Sequence, residues 1–117
     1  MTGKILLQDI SIGLDCRVPF AETHLLHFTS DGNLELWDTA SQTLVWQSGT
    51  GNRGAARLSM QEDGNLVIYD AEGAPLWASD TADNPGAALV VESGGEMMVC
   101  TVDQKPIWKT NGGSKAA

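Results

Sequence analysis

The chain has 117 residues, with 7 basic against 15 acidic side chains (net charge −8 with both histidines neutral) and a hydrophobic share of 42%. That length feeds one hydrophobic core and starves two. The acid excess speaks against nucleic acid and anionic membrane surfaces as partners, since both are gripped by surplus cations, and the apolar share excludes a disordered chain.

The start, MTGKILLQDISIG, holds a short, interrupted apolar stretch and no leader-type core followed by a small-residue cleavage site. No run approaches the roughly 20 apolar residues that cross a bilayer. The expectation is no membrane insertion and a cytoplasmic or non-classically secreted protein. Lys4 to Phe20 has uneven apolar spacing and supplies whatever strands the rest leaves over. Cys16 and Cys100 are the chain's two cysteines, open to one bridge or to two half-buried thiols.

From Leu25 onward the chain repeats. Trp46, Trp77 and Trp108 stand 31 residues apart, closing QTLVWQS, APLWASD and KPIWKTN. Upstream of each lies a turn between strand-type residues: FTSDGNLELWD, MQEDGNLVIYD and VESGGEMMVCT. The first unit is one residue longer in the loop from Asp38 to Thr43 than its counterpart. The units run over about 25–50, 56–81 and 87–111, within a single domain of 1–111 and a flexible tail of 112–117. Each reads as strand, tight turn, strand, loop, strand. Asp31-Gly32 and Asp63-Gly64 mark hairpins, because Gly accepts the positive φ that such turns require. Leu34/Leu36 and Leu66/Ile68 alternate with Asn33/Glu35/Trp37 and Asn65/Val67/Tyr69, a period of two. No helical stripe competes, so the chain reads as all-β. Three units with an indole at the same place suit a pseudo-threefold arrangement whose rings meet inside. Trp46, Trp77 and Trp108 are therefore core residues in preference to ligand-stacking ones.

The chemistry concentrates in the middle unit, where Gln61, Asp63, Asn65, Val67 and Tyr69 fall at alternate positions. A carboxylate, two amides and a phenol share one face with an aliphatic spot, which is the donor and acceptor inventory of a sugar site. Turn formation alone accounts for Asp63 and Gly64 but leaves Gln61, Val67 and Tyr69 unexplained in that register. The remaining motifs carry less. GTGNRG (Gly49 to Gly54) matches G-x-G-x-x-G but lies between β units and opens no helix. His24 and His27 have opposite strand parity and no ligand company, so no metal is expected. Glu92 and Glu96 could form a glycosidase pair only in a cleft that nothing here predicts. No nucleophile stands beside a base, and the reading is of a non-enzyme that needs no cofactor.

The phrase Q-x-D-x-N-x-V-x-Y, here QEDGNLVIY, resembles the mannose-binding signature of the monocot (bulb-type, snowdrop-like) lectins. The resemblance extends over all three repeats and their W-A-S type closings. It implies a β-prism II, three pseudo-threefold antiparallel sheets around a Trp core. It further implies that Asp63 and Asn65 hold the axial 2-hydroxyl of mannose, Gln61 the 3-hydroxyl and Tyr69 the 4-hydroxyl, while Val67 packs on ring carbons. Homodimers occur in that family, some by exchange of C-terminal strands, and Pro106 to Thr110 is the matching segment. Four or five such bonds, at about 0.5–1.5 kcal/mol each less the association cost, give near-millimolar affinity for one sugar.

The other two units depart from the pattern. The first offers Thr29, Asp31, Asn33, Glu35 and Trp37 in the five slots, leaving Asp31, Asn33 and Trp37 as a candidate weaker second site. The third offers Glu92, Gly94, Glu96, Met98 and Cys100, with every slot changed. The expected partner is therefore a mannose-containing glycan, bound without metal at one intact hairpin per chain. The rival reading is a structural or protein-interaction β-prism whose sugar sites have degenerated.

Overall fold

Twelve strands carry the fold in the computed structural model, which describes residues 4–7, 10–20, 23–92 and 96–110. In chain order they are β1 (Lys4–Leu7), β2 (Ile10–Gly13), β3 (Cys16–Phe20), β4 (His24–Phe28), β5 (Leu34–Asp38) and β6 (Thr43–Gln47). The second half adds β7 (Ala55–Met60), β8 (Leu66–Asp70), β9 (Pro75–Ala78), β10 (Ala88–Glu92), β11 (Met97–Cys100) and β12 (Pro106–Lys109). They form three antiparallel four-stranded sheets, ordered β3-β4-β5-β6, β2-β7-β8-β9 and β1-β10-β11-β12. Each repeat supplies three consecutive strands, and the N-terminal stretch deals one strand to each sheet. That explains its irregular spacing: its residues serve three different faces.

Period-two alternation places one apolar row of every sheet inward. Leu26, Phe28, Leu34, Leu36, Leu58, Met60, Leu66, Ile68, Leu89, Val91, Met97 and Val99 form the shared core. Trp46, Trp77 and Trp108 pack against it, partly buried. Their three ring pairs all meet edge to face at 5.5 Å between centroids, the arrangement that aromatic quadrupoles favour.

One device was not legible as a strict alternation. In each sheet the pairing to the last strand shifts by one residue, between Leu36/Trp37, Ile68/Tyr69 and Val99/Cys100. The unpaired extra residues are Val45, Leu76 and Ile107. A bulge lets two successive side chains turn the same way, so Val45 with Trp46, Leu76 with Trp77 and Ile107 with Trp108 all reach the core.

At both Asp-Gly turns the glycine has the positive φ expected of it, 90° at Gly32 and 92° at Gly64. Each is the last of three loop residues. Thr29 pairs with Asn33 and Gln61 with Asn65 (N···O 2.9 and 3.0 Å), while Gly32 and Gly64 amides donate back to Thr29 and Gln61 carbonyls at 3.0 Å. This is a β-turn ended by a glycine in the left-handed region. Both glycines also lie against the chain that follows their own unit: a Cβ would sit 2.5 Å from Ala55 Cβ at Gly32 and 2.3 Å from the Asn84 carbonyl oxygen at Gly64. Cys16, on β3, and Cys100, on β11, are not joined by a disulfide.

Candidate functional site

The three-residue loop sets Gln61 and Asn65 directly opposite each other with Asp63 between them at the tip. Asp63 Oδ1 accepts the Asn65 backbone N–H at 3.0 Å, which fixes the exposed carboxylate over the start of β8. Two strand steps onward, Tyr69 leans back toward the turn, and Gln61 Nε2 donates to its hydroxyl oxygen. Gln61, Asp63, Asn65 and Tyr69 are thereby gathered on one side of the hairpin. Val67 lies between Asn65 and Tyr69 on the same row but is 3% exposed, so it contributes a small, nearly covered apolar floor rather than an open patch.

Asn65 is oriented from behind. Its Oδ1 accepts the Thr81 N–H at 3.1 Å and the Ser79 hydroxyl at 3.4 Å. Thr81 Oγ1 in turn donates to the Gly64 carbonyl at 2.6 Å, and Ser79 Oγ accepts the Leu66 N–H at 3.1 Å. With the carbonyl end so engaged, the amide nitrogen faces outward, and Nδ2 has no acceptor among the described residues. Ser79 and Thr81 thus fix the orientation of the Asn65 amide from behind. The sequence reading passed over them, although the spacing W-x-S-x-T after Trp46 and Trp77 was available as a signal.

The first unit repeats this brace and uses it differently. Asn33 Oδ1 accepts the Gly49 and Thr50 amides at 2.9 and 3.1 Å and the Ser48 hydroxyl at 3.2 Å. Thr50 Oγ1 donates to the Gly32 carbonyl at 2.6 Å. The Gly49 amide serves Asn33, so the G-x-G-x-x-G match is part of this brace. Asn33 Nδ2, however, donates to Glu35 Oε2 at 3.0 Å and to Gln47 Oε1 at 2.8 Å. Glu35 Oε1 also accepts the Trp37 indole N–H at 2.9 Å, and the Thr29 hydroxyl donates to the Asp31 carboxylate. The side chains of this unit thus bond in two groups, Thr29 with Asp31 and Glu35 with both Asn33 and Trp37.

In the third unit the slots of Met98 and Cys100 are buried with Val90 in a small apolar cluster. Glu96 lies 4.0 Å from the Lys109 ammonium. Gly94 and the side chain of Glu92 lie outside the described residues, as does the tail of 112–117.

No protein-family model and no curated protein sequence matches the chain. Solved structures do. A monomeric monocot mannose-binding lectin from Gastrodia elata is 27% identical with a TM-score of 0.79, over 95% of this chain and 98% of that one. A Marasmius oreades lectin is 26% identical, also at 0.79, over 93% and 90%. A Polygonatum cyrtonema lectin, solved in complex with a monomannoside, is 25% identical at 0.72, over 97% and 99%. The resemblance read from the repeats thus extends over nearly the whole chain, whose three sheets have the β-prism II fold of the snowdrop-type, bulb-type lectins.

Proposed function

We infer that this chain is a lectin that binds mannose-containing glycans through its middle hairpin, without metal and without turnover. One observation carries the reading: Asn65 is braced through its oxygen by Ser79 and Thr81, yet its amide nitrogen has no acceptor among the described residues. A polar group held that firmly and left with an unused donor is organised for something outside the chain. Its surroundings suit a hexose. Asp63 accepts hydroxyl protons in charge-assisted bonds, Gln61 and Tyr69 both donate and accept, and Val67 floors the ring. Mannosides in the neighbours' complexes support the same ligand class.

Epimer selectivity follows from that donor set. An equatorial 2-hydroxyl leaves Asp63 and Asn65 short of a partner, at about 1–3 kcal/mol. The test is titration with methyl α-mannoside against methyl α-glucoside. Mannoside is expected to saturate with a Kd near ~1 mM, glucoside to bind at least about fivefold more weakly, and Asp63→Ala to abolish both. Failure to bind even a dense mannan surface, where avidity multiplies weak sites, would favour the structural β-prism instead. Release of the aglycone from a chromogenic mannoside would overturn the non-enzymatic part.

A further inference from the structure

Arg57 stands on β7 directly across from Tyr69 on β8, and its guanidinium carbon lies 4.5 Å from the centre of the Tyr69 ring. The chain carries 15 acidic side chains to 7 basic ones, so an exposed cation would be expected to find a carboxylate. Among the described residues none lies within ion-pair distance of Arg57. The acids nearest in sequence to its strand partners, Tyr69 and Gly13, are engaged elsewhere. Asp70, next to Tyr69, accepts the Glu72 and Ala74 amides at 2.9 Å, and Asp15 pairs with Arg17 at 3.3 Å.

The flank beyond Arg57 is also open. Its partner on β2 is Gly13, where an added Cβ would meet nothing within 4 Å. An exposed guanidinium, held by a ring that itself belongs to the candidate sugar site and bordered by open space, is a ready receptor for an anion.

We propose that Arg57 makes the middle hairpin selective for mannose bearing an anionic group at its C6 end, a phosphate or comparable acid ester. The inference rests on the mannose reading above, in which Tyr69 meets the 4-hydroxyl. The exocyclic C6 group hangs from the ring carbon beside C4 and is the substituent closest to the Tyr69 end. Asp63 sits at the other end of the hairpin: the four residue steps from Asn65 to Tyr69 alone span about 13 Å of extended strand. The net charge of −8 opposes anion capture weakly, since charges beyond about 8 Å are screened at physiological salt.

The test compares methyl α-mannoside, mannose 6-phosphate, mannose 1-phosphate and inorganic phosphate on the intact chain by calorimetry or ligand-observed NMR. Mannose 6-phosphate is expected to bind about three- to tenfold more tightly than the mannoside at low salt, with most of that gain lost in 0.5 M salt. Mannose 1-phosphate, with its anion across the ring from C4, is expected to show no gain. Arg57→Gln should erase the gain and leave mannoside affinity within about twofold, and Arg57→Lys should restore part of it. A merely structural Arg57 would instead weaken both sugars equally in the glutamine variant, which overturns the proposal. Equal binding of mannoside and mannose 6-phosphate by the unaltered chain overturns it while leaving the mannose reading intact. Binding of inorganic phosphate as tight as that of mannose 6-phosphate, surviving Asp63→Ala, also overturns it, because the cation would then act apart from the sugar. Absence of mannoside binding removes both readings together.

Discussion

The hairpins of the first and second units have the same backbone and opposite uses of one amide. Asn33 and Asn65 occupy equivalent positions after a three-residue turn, and both accept through Oδ1 from a Thr amide and a Ser hydroxyl. Behind each, a Thr hydroxyl bonds the turn glycine's carbonyl at 2.6 Å. The turns dock alike on the connection that follows their unit, since Asn52 and Asn84 amides donate to the Asp31 and Asp63 carbonyls at 2.8 and 3.0 Å. The difference lies in the row beside them. Glu35 and Gln47 face each other across β5 and β6, where β8 and β9 bring Val67 and Ala78 together. The polar pair consumes both protons of Asn33 Nδ2, and the apolar pair cannot touch those of Asn65. On the proposed function, binding capacity turns on whether the neighbours of a fixed amide can accept hydrogen bonds.

The sharpest way to break the comparison is to move the polar pair. Val67→Glu with Ala78→Gln should internalise Asn65 Nδ2 as Asn33 Nδ2 is internalised, and mannoside binding should fall about tenfold, the upper end of what one neutral hydrogen bond is worth. Cooperative unfolding followed by tryptophan fluorescence should persist, because the first unit accommodates the same pair on the same backbone. Retained affinity in a folded double variant would show that Asn65 is not a ligand group.

Removing the brace has a smaller effect that separates stability from binding. Thr81→Val deletes the bond to the Gly64 carbonyl and leaves a buried acceptor unsatisfied, at about 1–3 kcal/mol. Thr50→Val should cost a similar amount in the first unit. Denaturant titration should find the two variants alike in stability, while mannoside affinity falls only for Thr81→Val. Equal binding by both variants would mean that Thr81 supports the turn without orienting Asn65.

The converse exchange asks whether the first site can be reopened. Glu35→Val and Gln47→Ala release Asn33, and Thr29→Gln with Trp37→Tyr rebuild the reach and the phenol. Mannoside stoichiometry is expected to rise from about one to about two per chain, read by NMR titration of the two hairpins. An unchanged stoichiometry would place the defect of the first unit outside these four side chains.

Much of this was legible because the repeat is written in residues whose physics is local. The 31-residue Trp spacing and the glycine that tolerates positive φ carried the units and turns, and the alternation of Leu66 and Ile68 with Asn65 and Tyr69 carried the strand faces. What escaped depends on partners far along the chain. Gln47 reaches Asn33 across a strand pair 14 residues apart, so Asn33 read as a surviving ligand position when its donor is already spent. The bulges at Val45, Leu76 and Ile107 break the period of two, and such an extra residue leaves no compositional mark. Ser79 and Thr81 look like ordinary turn residues until the carbonyl they serve is seen. Arg57 lies outside the five-slot phrase, and its relation to Tyr69 exists only through strand pairing.

The two loops that follow these strands offer the smallest contrast. Asp70 spans a loop closed by its amide donating to the Ala74 carbonyl at 2.8 Å, whereas Asp38 pairs with Thr43, one residue longer. In that longer loop Asp38 Oδ1 accepts the Ala40 and Ser41 amides at 3.0 and 3.2 Å. The Ser41 amide is the largest cause holding the Asp38 carboxyl below its ordinary value of 3.8, with the Ala40 amide and the His24 ring adding to it and desolvation opposing. A carboxyl whose folded value is depressed stabilises the fold above its unfolded value, and that contribution fades as pH falls through the folded one. Stability of the unaltered chain should therefore decline below about pH 4 more steeply than that of Asp38→Asn, whose amide does not titrate. Because Asp38 is only half-buried the difference should be slight, and parallel acid unfolding curves would show that the loop holds its shape without the charge.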